Sequence, residues 1–408
     1  MRSERKIENG TRLTDALVAL VTLQGDAVNR RIAGLAVGAR IAAEAQGAGA
    51  QALWIVSDGE QGISEQTWDD ISRACSDLEV IALSAAEAEM RLAALPGRPL
   101  LLLSASHLVP ASLFPRLLQQ GWLGASGRIV AAATRAGAAL PAVGGPSVED
   151  HPEIVDLADE PRATRMIVRG TAKESDGIVS RHLNRPVSQR ITTALLQSIG
   201  GIRPWHMTLL TFILTLLMFP VLVFGGAPGL VIGGILFHAT SVLDGVDGEI
   251  ARATARSSVR GAVLDTAVDT AGTLLFITGL TIGLTRLYGI YYAQIGGWAV
   301  IAGATGLIFM SILTARIGEH GNFNILKPYY AEWLATGFPA WVREWITRIT
   351  SRDFFAFGCC LLTLFGLPQI ALLGFTIFTT LWVLLILVAA PGLLRQHARL
   401  PAGSPATT

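Results

Sequence analysis

The chain has 408 residues, of which 51% are hydrophobic and 15% charged, with a mean hydropathy of +0.48. Soluble globular domains carry about 25% charge, so this composition excludes a wholly soluble or disordered protein. With 32 basic and 31 acidic residues the net charge is +1, which leaves no overall field of the kind that holds nucleic acid, and no nucleic-acid partner is expected.

The opening segment, MRSERKIENGTRLTD, is polar and has no apolar core behind its basic residues, so it does not read as a secretory signal. Up to about residue 165 the apolar runs are short: ALVALV (16–21), ALWIV (52–56) and LLLL (100–103), separated by Ala-rich helical stretches. That alternation predicts a layered βαβ domain over 1–165 with a buried parallel sheet. The three cysteines, Cys75, Cys359 and Cys360, have neither disulfide-framework nor zinc-site spacing and read as small buried hydrophobes.

A linker over 166–204 follows. Within it, PVSQRITTALLQSIG places Val187, Ile191, Leu195 and Ile199 four residues apart, with Ala194 beside them and Arg190 on another face. This predicts an amphipathic juxtamembrane helix lying at a membrane interface, the alternative being a helix packed on the N-terminal domain. Pro186 suits its first turn.

From residue 205 the runs lengthen. About 20 helical residues cross a hydrocarbon core of roughly 30 Å, and six spans are predicted over 205–395, at about 205–225, 229–252, 261–284, 290–314, 353–368 and 370–394. The fifth is the shortest. Residues 396–408 form a tail. The expected fold is therefore an α-helical integral membrane domain with six transmembrane helices, preceded by a cytoplasmic α/β Rossmann-like domain. Basic residues follow spans two (Arg252, Arg256, Arg260), four (Arg316, Lys327, Arg343, Arg348, Arg352) and six (Arg395, Arg399), whereas the opposite loops hold only Arg286. The bias of basic residues toward the cytoplasm puts both termini on that side of the inner membrane.

A carboxylate at the centre of a membrane helix costs roughly 2.5–3.5 kcal/mol, yet spans two and three contain several. Asp244, Asp247, Gly248 and Ala251 share one stripe of span two at 100° per residue, and Asp265 and Asp269 share one stripe of span three. The loop between the spans is short, so the acids lie at similar depth near the cytoplasmic boundary. Converging carboxylates without nearby lysine, histidine or cysteine point to hard divalent cations, Mg²⁺ or Mn²⁺. Gly248 and Ala251 leave the same face bare for a phosphate-bearing ligand, and Arg252 adds a fixed cation. His238 is six residues before Asp244, about 120° off this stripe, and reads as a hydrogen-bonded packing residue. The same acids would also suit a silent membrane scaffold or an ion-coupled carrier.

Residues 244–269 resemble the CDP-alcohol phosphotransferase family, whose signature D-x2-D-G-x2-A-R-x8-G-x3-D-x3-D they reproduce without a mismatch. The resemblance extends over about 175–395. It implies a homodimeric enzyme with a six-helix membrane domain, moving a substituted phosphate from a CDP-alcohol to an alcohol or polyol phosphate acceptor with release of CMP. By the same resemblance Asp244, Asp247, Asp265 and Asp269 would hold two metal ions, with Asp269 also the general base, and Gly248, Ala251, Arg252 and Gly261 would receive the nucleotide. Arg260, Arg316, Lys327 and Arg352 are candidates for an acceptor phosphate near the mouth. The family's Pro-Asn-x-x-Thr at the start of span one is here Pro204-Trp205-His206-Met207-Thr208, with Trp in place of Asn.

The segment KESDGIVSRHLNRPVSQRIT (173–192) is similar to the junction in fused inositol-phosphate cytidylyltransferase and di-myo-inositol phosphate phosphate synthase proteins. The N-terminal domain resembles a nucleotidyltransferase whose devices are lost. Its first loop, Thr22-Leu23-Gln24-Gly25-Asp26-Ala27, keeps one glycine, and Ser104-Ala105-Ser106-His107 stands where relatives present metal-binding aspartates. An inactive regulatory, docking or dimerising module is expected, with Asp26, Arg30, Arg31 and Asp58 as residual candidates for nucleotide contact.

Overall fold

The computed structural model describes residues 18–23, 25–57, 62–95, 97, 99–104, 106–125, 128–135, 151–173, 176–316 and 352–398. Its N-terminal region is built on a six-stranded sheet in the order β5-β4-β1-β6-β9-β8, from β1 (Val18–Leu23), β4 (Ala52–Ser57), β5 (Glu79–Leu83), β6 (Pro99–Ser104), β8 (Trp122–Ala125) and β9 (Arg128–Arg135). The three apolar runs singled out from sequence become β1, β4 and β6. Their pairing is parallel, with Val18 opposite both Ala52 and Leu100. β9 runs antiparallel to β6 and β8, an extension that the alternation pattern did not foretell.

Helices α1 (Val37–Gly47), α2 (Glu65–Ala74), α3 (Ala85–Ala93) and α4 (Phe114–Gln120) connect and flank the strands. Two small antiparallel pairs join β2 (Arg31–Ile32) to β3 (Leu35–Ala36) and β7 (His107–Leu108) to β10 (Val155–Asp156). Leu53, Ile55, Leu101 and Leu117 fill the main core. All three cysteines are buried and unbridged.

Helix α5 (Glu160–Gly170), capped by the Asp159 carboxylate, runs through the expected boundary at 165 and packs on α6 (Arg185–Ser198). The expected amphipathic helix is present as α6, but its apolar residues divide. Ile191 and Leu195 pack against Met207, Val246 and Ile250, whereas Val187 and Ile199 remain exposed. Its buried face also contains Arg185, Ser188 and Thr192, so α6 is docked onto the membrane domain through a polar seam.

Among the described residues, five helices are long and apolar enough to cross a membrane: α7 (Pro204–Phe224), α8 (Gly226–Ala253), α9 (Val259–Tyr288), α10 (Tyr291–Arg316) and α12 (Pro368–Ala398), the last through Gly392. The span expected at 353–368 falls on α11 (Arg352–Leu364), 13 residues among those described, with residues 317–351 before it outside the description.

Small residues let these helices approach closely. Leu222 of α7 is fully buried where a Cβ on Gly233 of α8 or on Gly279 of α9 would collide with it, and Gly234 of α8 admits Thr363 of α11 in the same way. Ile301, Ile308 and Ile312 line an exposed stripe of α10, as an apolar solvent would favour.

Candidate active site

α8 and α9 are joined by a turn in which Ser258 caps α9 by accepting the Gly261 N–H at 3.0 Å. This tight reversal sets the two acidic stripes side by side. Asp244, Asp247 and Asp265 present carboxylate oxygens that all lie within 4.8 Å of one another. Asp247 is buried and Asp244 and Asp265 half-buried, so three anionic side chains share one small volume. Such a group needs a compensating cation.

Asp269 lies one turn along α9 from Asp265 and is tied in by Arg352. The Arg352 guanidinium pairs with Asp269 and lies 3.3 Å from Asp244 Oδ2. Asp244 Oδ1 and Asp269 Oδ1 are buried without a hydrogen-bond donor among the described residues. These two orphaned carboxylate oxygens, one within the three-acid cluster and one on the neighbouring Asp269, fit an oxygen-ligated divalent cation.

Sequence reasoning placed Arg352 near the mouth with Arg260, Arg316 and Lys327. Among the described candidates, Arg352 alone is brought against the carboxylates; Arg260 and Arg316 are exposed at helix ends, and Lys327 lies outside the described residues. Gly248 faces the Arg252 guanidinium, which a Cβ there would approach to 3.1 Å. Arg252 is held by a 2.8 Å bond from Nε to the Thr171 carbonyl. Ala251 and Gly261 occupy the last turns of α8 and the first turn of α9. His238 packs against Phe357 at 5.4 Å; its Nδ1 is buried with no hydrogen-bond partner among the described residues, so the expected bond is missing at that atom.

Two supports were not singled out from sequence. Thr208 of α7 donates its hydroxyl to Asp247 Oδ2 at 2.8 Å. It closes the Pro204–Thr208 segment, four residues after Pro204, and Trp205 in that segment is half-exposed beside His206. Glu249, between Gly248 and Ala251, is fully buried and accepts from Arg185 Nη1 at 2.8 Å and from Ser188 Oγ and Thr192 Oγ1 at 2.6 Å each. A carboxylate inside an apolar helix on the face away from the acid stripe was the available signal.

Arg185 also grips Asp176 through two parallel bonds, Nε to Oδ2 at 2.8 Å and Nη2 to Oδ1 at 3.0 Å. Burial acts to raise the Asp176 carboxyl, but these bonds and the adjacent positive charge hold it below the usual aspartate range. Burial likewise acts to lower Arg185, and its carboxylate partners raise it overall. The network locks α6 against the back of α8, and Gly245 allows that approach, with a Cβ there only 3.3 Å from Ser188 Oγ.

The end of α8 is also held from the N-terminal region. Arg40 of α1 is buried and its Nη2 bonds the carbonyls of Ile32, Ala33 and Ala253 at 2.6, 3.1 and 2.9 Å. Burial pushes this guanidinium down to about 10, still well above neutrality, so the cation sits at the C-terminal end of the α8 dipole. Among the nucleotide-contact candidates of this region, Arg31 pairs with Asp70 at 2.8 Å and Arg30 lies 3.8 Å from Glu160, while Asp58 and the side chain of Asp26 lie outside the described residues. Ser104, Ser106 and His107 bond to one another, Ser to Ser at 2.7 Å and Ser106 to His107 Nδ1 at 2.9 Å.

With this geometry in place, similarity to known proteins becomes interpretable. Residues 202–387 match the family model described as CDP-alcohol phosphatidyltransferase. The chain is similar to a protein of Rubrobacter xylanophilus named bifunctional IPC transferase and DIPP synthase, 37% identical over 188 residues, covering 46% of this chain and 38% of that one. Proteins of the same name from Thermococcus kodakarensis and Aquifex aeolicus are 42% and 40% identical over 118 and 136 residues, covering 28% and 33% of this chain. The three alignments span between 26% and 38% of the relatives' own length. The converging acids of α8 and α9 therefore lie within the segment of the C-terminal half that matches the CDP-alcohol phosphatidyltransferase family model.

Proposed function

We propose that the chain is a metal-dependent CDP-alcohol phosphotransferase that transfers a substituted phosphate from a CDP-alcohol to an acceptor alcohol and releases CMP. The observation that carries this reading is the convergence of Asp244, Asp247 and Asp265 from two helices within 4.8 Å. The donor is of the CDP-diacylglycerol or CDP-inositol type, placing the reaction in phospholipid or inositol-phosphodiester biosynthesis. The relatives' DIPP synthase name supports an inositol-type substrate.

Asp244, Asp247, Asp265 and Asp269 would hold two Mg²⁺ or Mn²⁺ ions. When bound, these neutralise the pyrophosphate and stabilise the CMP leaving group. Gly248, Ala251 and Gly261 leave backbone open to the nucleotide, and Arg252, fixed on the Thr171 carbonyl, supplies a positive charge beside it. Asp269 takes the proton of the acceptor hydroxyl as that oxygen bonds to the phosphorus bearing the substituent, and the bond from this phosphorus to the oxygen of CMP breaks. Arg352, beside Asp269, binds an acceptor phosphate, with Arg260, Arg316 and Lys327 further out.

The cytoplasmic placement of the site and both termini in an inner-membrane protein of six spans belongs to the same proposal, supported by the basic residues after α8 and α10. So do the homodimer, for which the exposed α10 stripe offers an apolar face, the domain limits at 165, 204 and 395, and an N-terminal module without nucleotidyl transfer.

The test is CMP release by purified protein with Mg²⁺ or Mn²⁺, crossing CDP-diacylglycerol and CDP-inositol against inositol, inositol phosphate and glycerol phosphate. One productive pair, lost in Asp269→Asn, is the expected result. Metal-bound, folded protein that forms no CMP with any pair but moves a substrate down its gradient would replace this reading with the carrier.

A further inference from the structure

A second polar cavity, of about 470 Å³, opens where the N-terminal region meets the α6–α7 and α8–α9 turns. Its volume falls within the roughly 300–1,000 Å³ of small-ligand sites. Within the motif segment 244–269, the cavity is lined by Arg256 alone, beyond the C-terminal end of α8. Ala253 is six residues past Asp247, about 9 Å along the helix, so this cavity and the acidic cluster are distinct.

Arg31, Arg73 and Arg256 converge on it. Asp70, fully buried behind them, accepts the Ala36 N–H at 3.1 Å and pairs with both Arg31 and Arg73. One carboxylate is thus divided between two guanidinium groups. Arg256 bonds the Ile202 carbonyl at 3.3 Å and has no carboxylate at ion-pair distance among the described residues. Burial lowers Arg256, and the positive charges of Arg73, Arg203 and Arg31 add to that, whereas Asp70 opposes it. Asp69 and Glu160 also line the cavity, but both are exposed. Leu196, Ile199 and Ile202 supply an apolar wall.

We propose that this cavity binds a phosphate-bearing ligand, its anion held by Arg31, Arg73 and Arg256 and its body against the α6–α7 turn. Three guanidinium groups, two of them sharing the one buried carboxylate of Asp70 while Asp69 and Glu160 face solvent, favour an anion that accepts several hydrogen bonds, as phosphate does. The source is either a soluble phosphomonoester or a lipid headgroup, since the apolar wall belongs to the juxtamembrane turn.

The test uses the full chain in phosphatidylcholine nanodiscs with EDTA, so that the acidic cluster holds no cation to recruit phosphate. In one arm glycerol 3-phosphate is titrated; in the other, phosphatidic acid is added to the nanodiscs; thermal stability is read in both. Stabilisation in one arm, with its half-saturating concentration raised at least about tenfold by Arg73→Gln and by Arg256→Gln but not by Asp69→Asn, supports the site and identifies the source. Stabilisation in neither arm, or stabilisation that both arginine variants retain, overturns it. Arg73 is on an exposed turn of α2, so its variant decides the matter if Arg256→Gln fails to fold. Because the assay contains no donor and no metal, its outcome is independent of whether the acidic cluster transfers phosphate.

Discussion

The hydroxyl of Thr208 and the carboxylate of Asp247 are 2.8 Å apart, joining the start of α7 to the acid stripe of α8. A hydrogen bond to one oxygen fixes which way a metal-binding carboxylate faces, and loss of such a support typically costs about 10- to 100-fold in metal affinity or activity. Thr208→Val is expected to raise the Mn²⁺ concentration for half-maximal CMP release by that factor, with the melting temperature little changed. Thr208→Ser, which keeps the donor, should stay near wild type.

Glu249 is the opposite case, a buried carboxylate that faces away from the acid stripe. Removing one partner of a buried ion pair costs about 3–5 kcal/mol. Glu249→Ala is therefore expected to cost that much in stability, because Arg185, Ser188 and Thr192 would all lose their acceptor. Thermal unfolding in detergent checks this, and Glu249→Gln, which preserves an acceptor for the hydroxyls, should lose less.

Arg352 holds the counter-charge of Asp244 and Asp269. If it also receives the acceptor's phosphate, Arg352→Gln should raise KM for a phosphate-bearing acceptor about tenfold or more, as loss of a charged hydrogen bond of about 1.5–3 kcal/mol requires. KM for an acceptor without phosphate should move little. Steady-state CMP release with inositol phosphate and with inositol separates the two outcomes.

Acid should loosen α6. Asp176 has a depressed carboxyl in the folded protein, so its pairing with Arg185 contributes fully above the ordinary aspartate value of about 3.9 and fades as pH falls through the lower folded value. Thermal stability measured between about pH 6 and pH 3 is expected to drop at the acid end. Asp176→Asn should show a smaller drop and a lower plateau at pH 6.

Much of this protein was readable from sequence. Buried parallel strands and membrane helices write themselves as unbroken apolar runs, so β1, β4, β6 and the five long helices stood close to where composition placed them. The acid site was equally legible, since carboxylates in an apolar helix repeat at intervals that fix their shared face, and Asp244, Asp247 and Asp265 do converge.

What sequence periodicity could not decide was partnership between distant segments. The antiparallel β9 and β8 depend on which edge of the sheet remains to be covered. Thr208, Arg185 and Arg40 each gain their meaning from a group far along the chain: Asp247, Glu249 and the Ala253 carbonyl. Local pattern determines which face of a helix is polar; only tertiary packing brings a donor within 3 Å of it, because that depends on the close helix approaches that residues such as Gly245 permit.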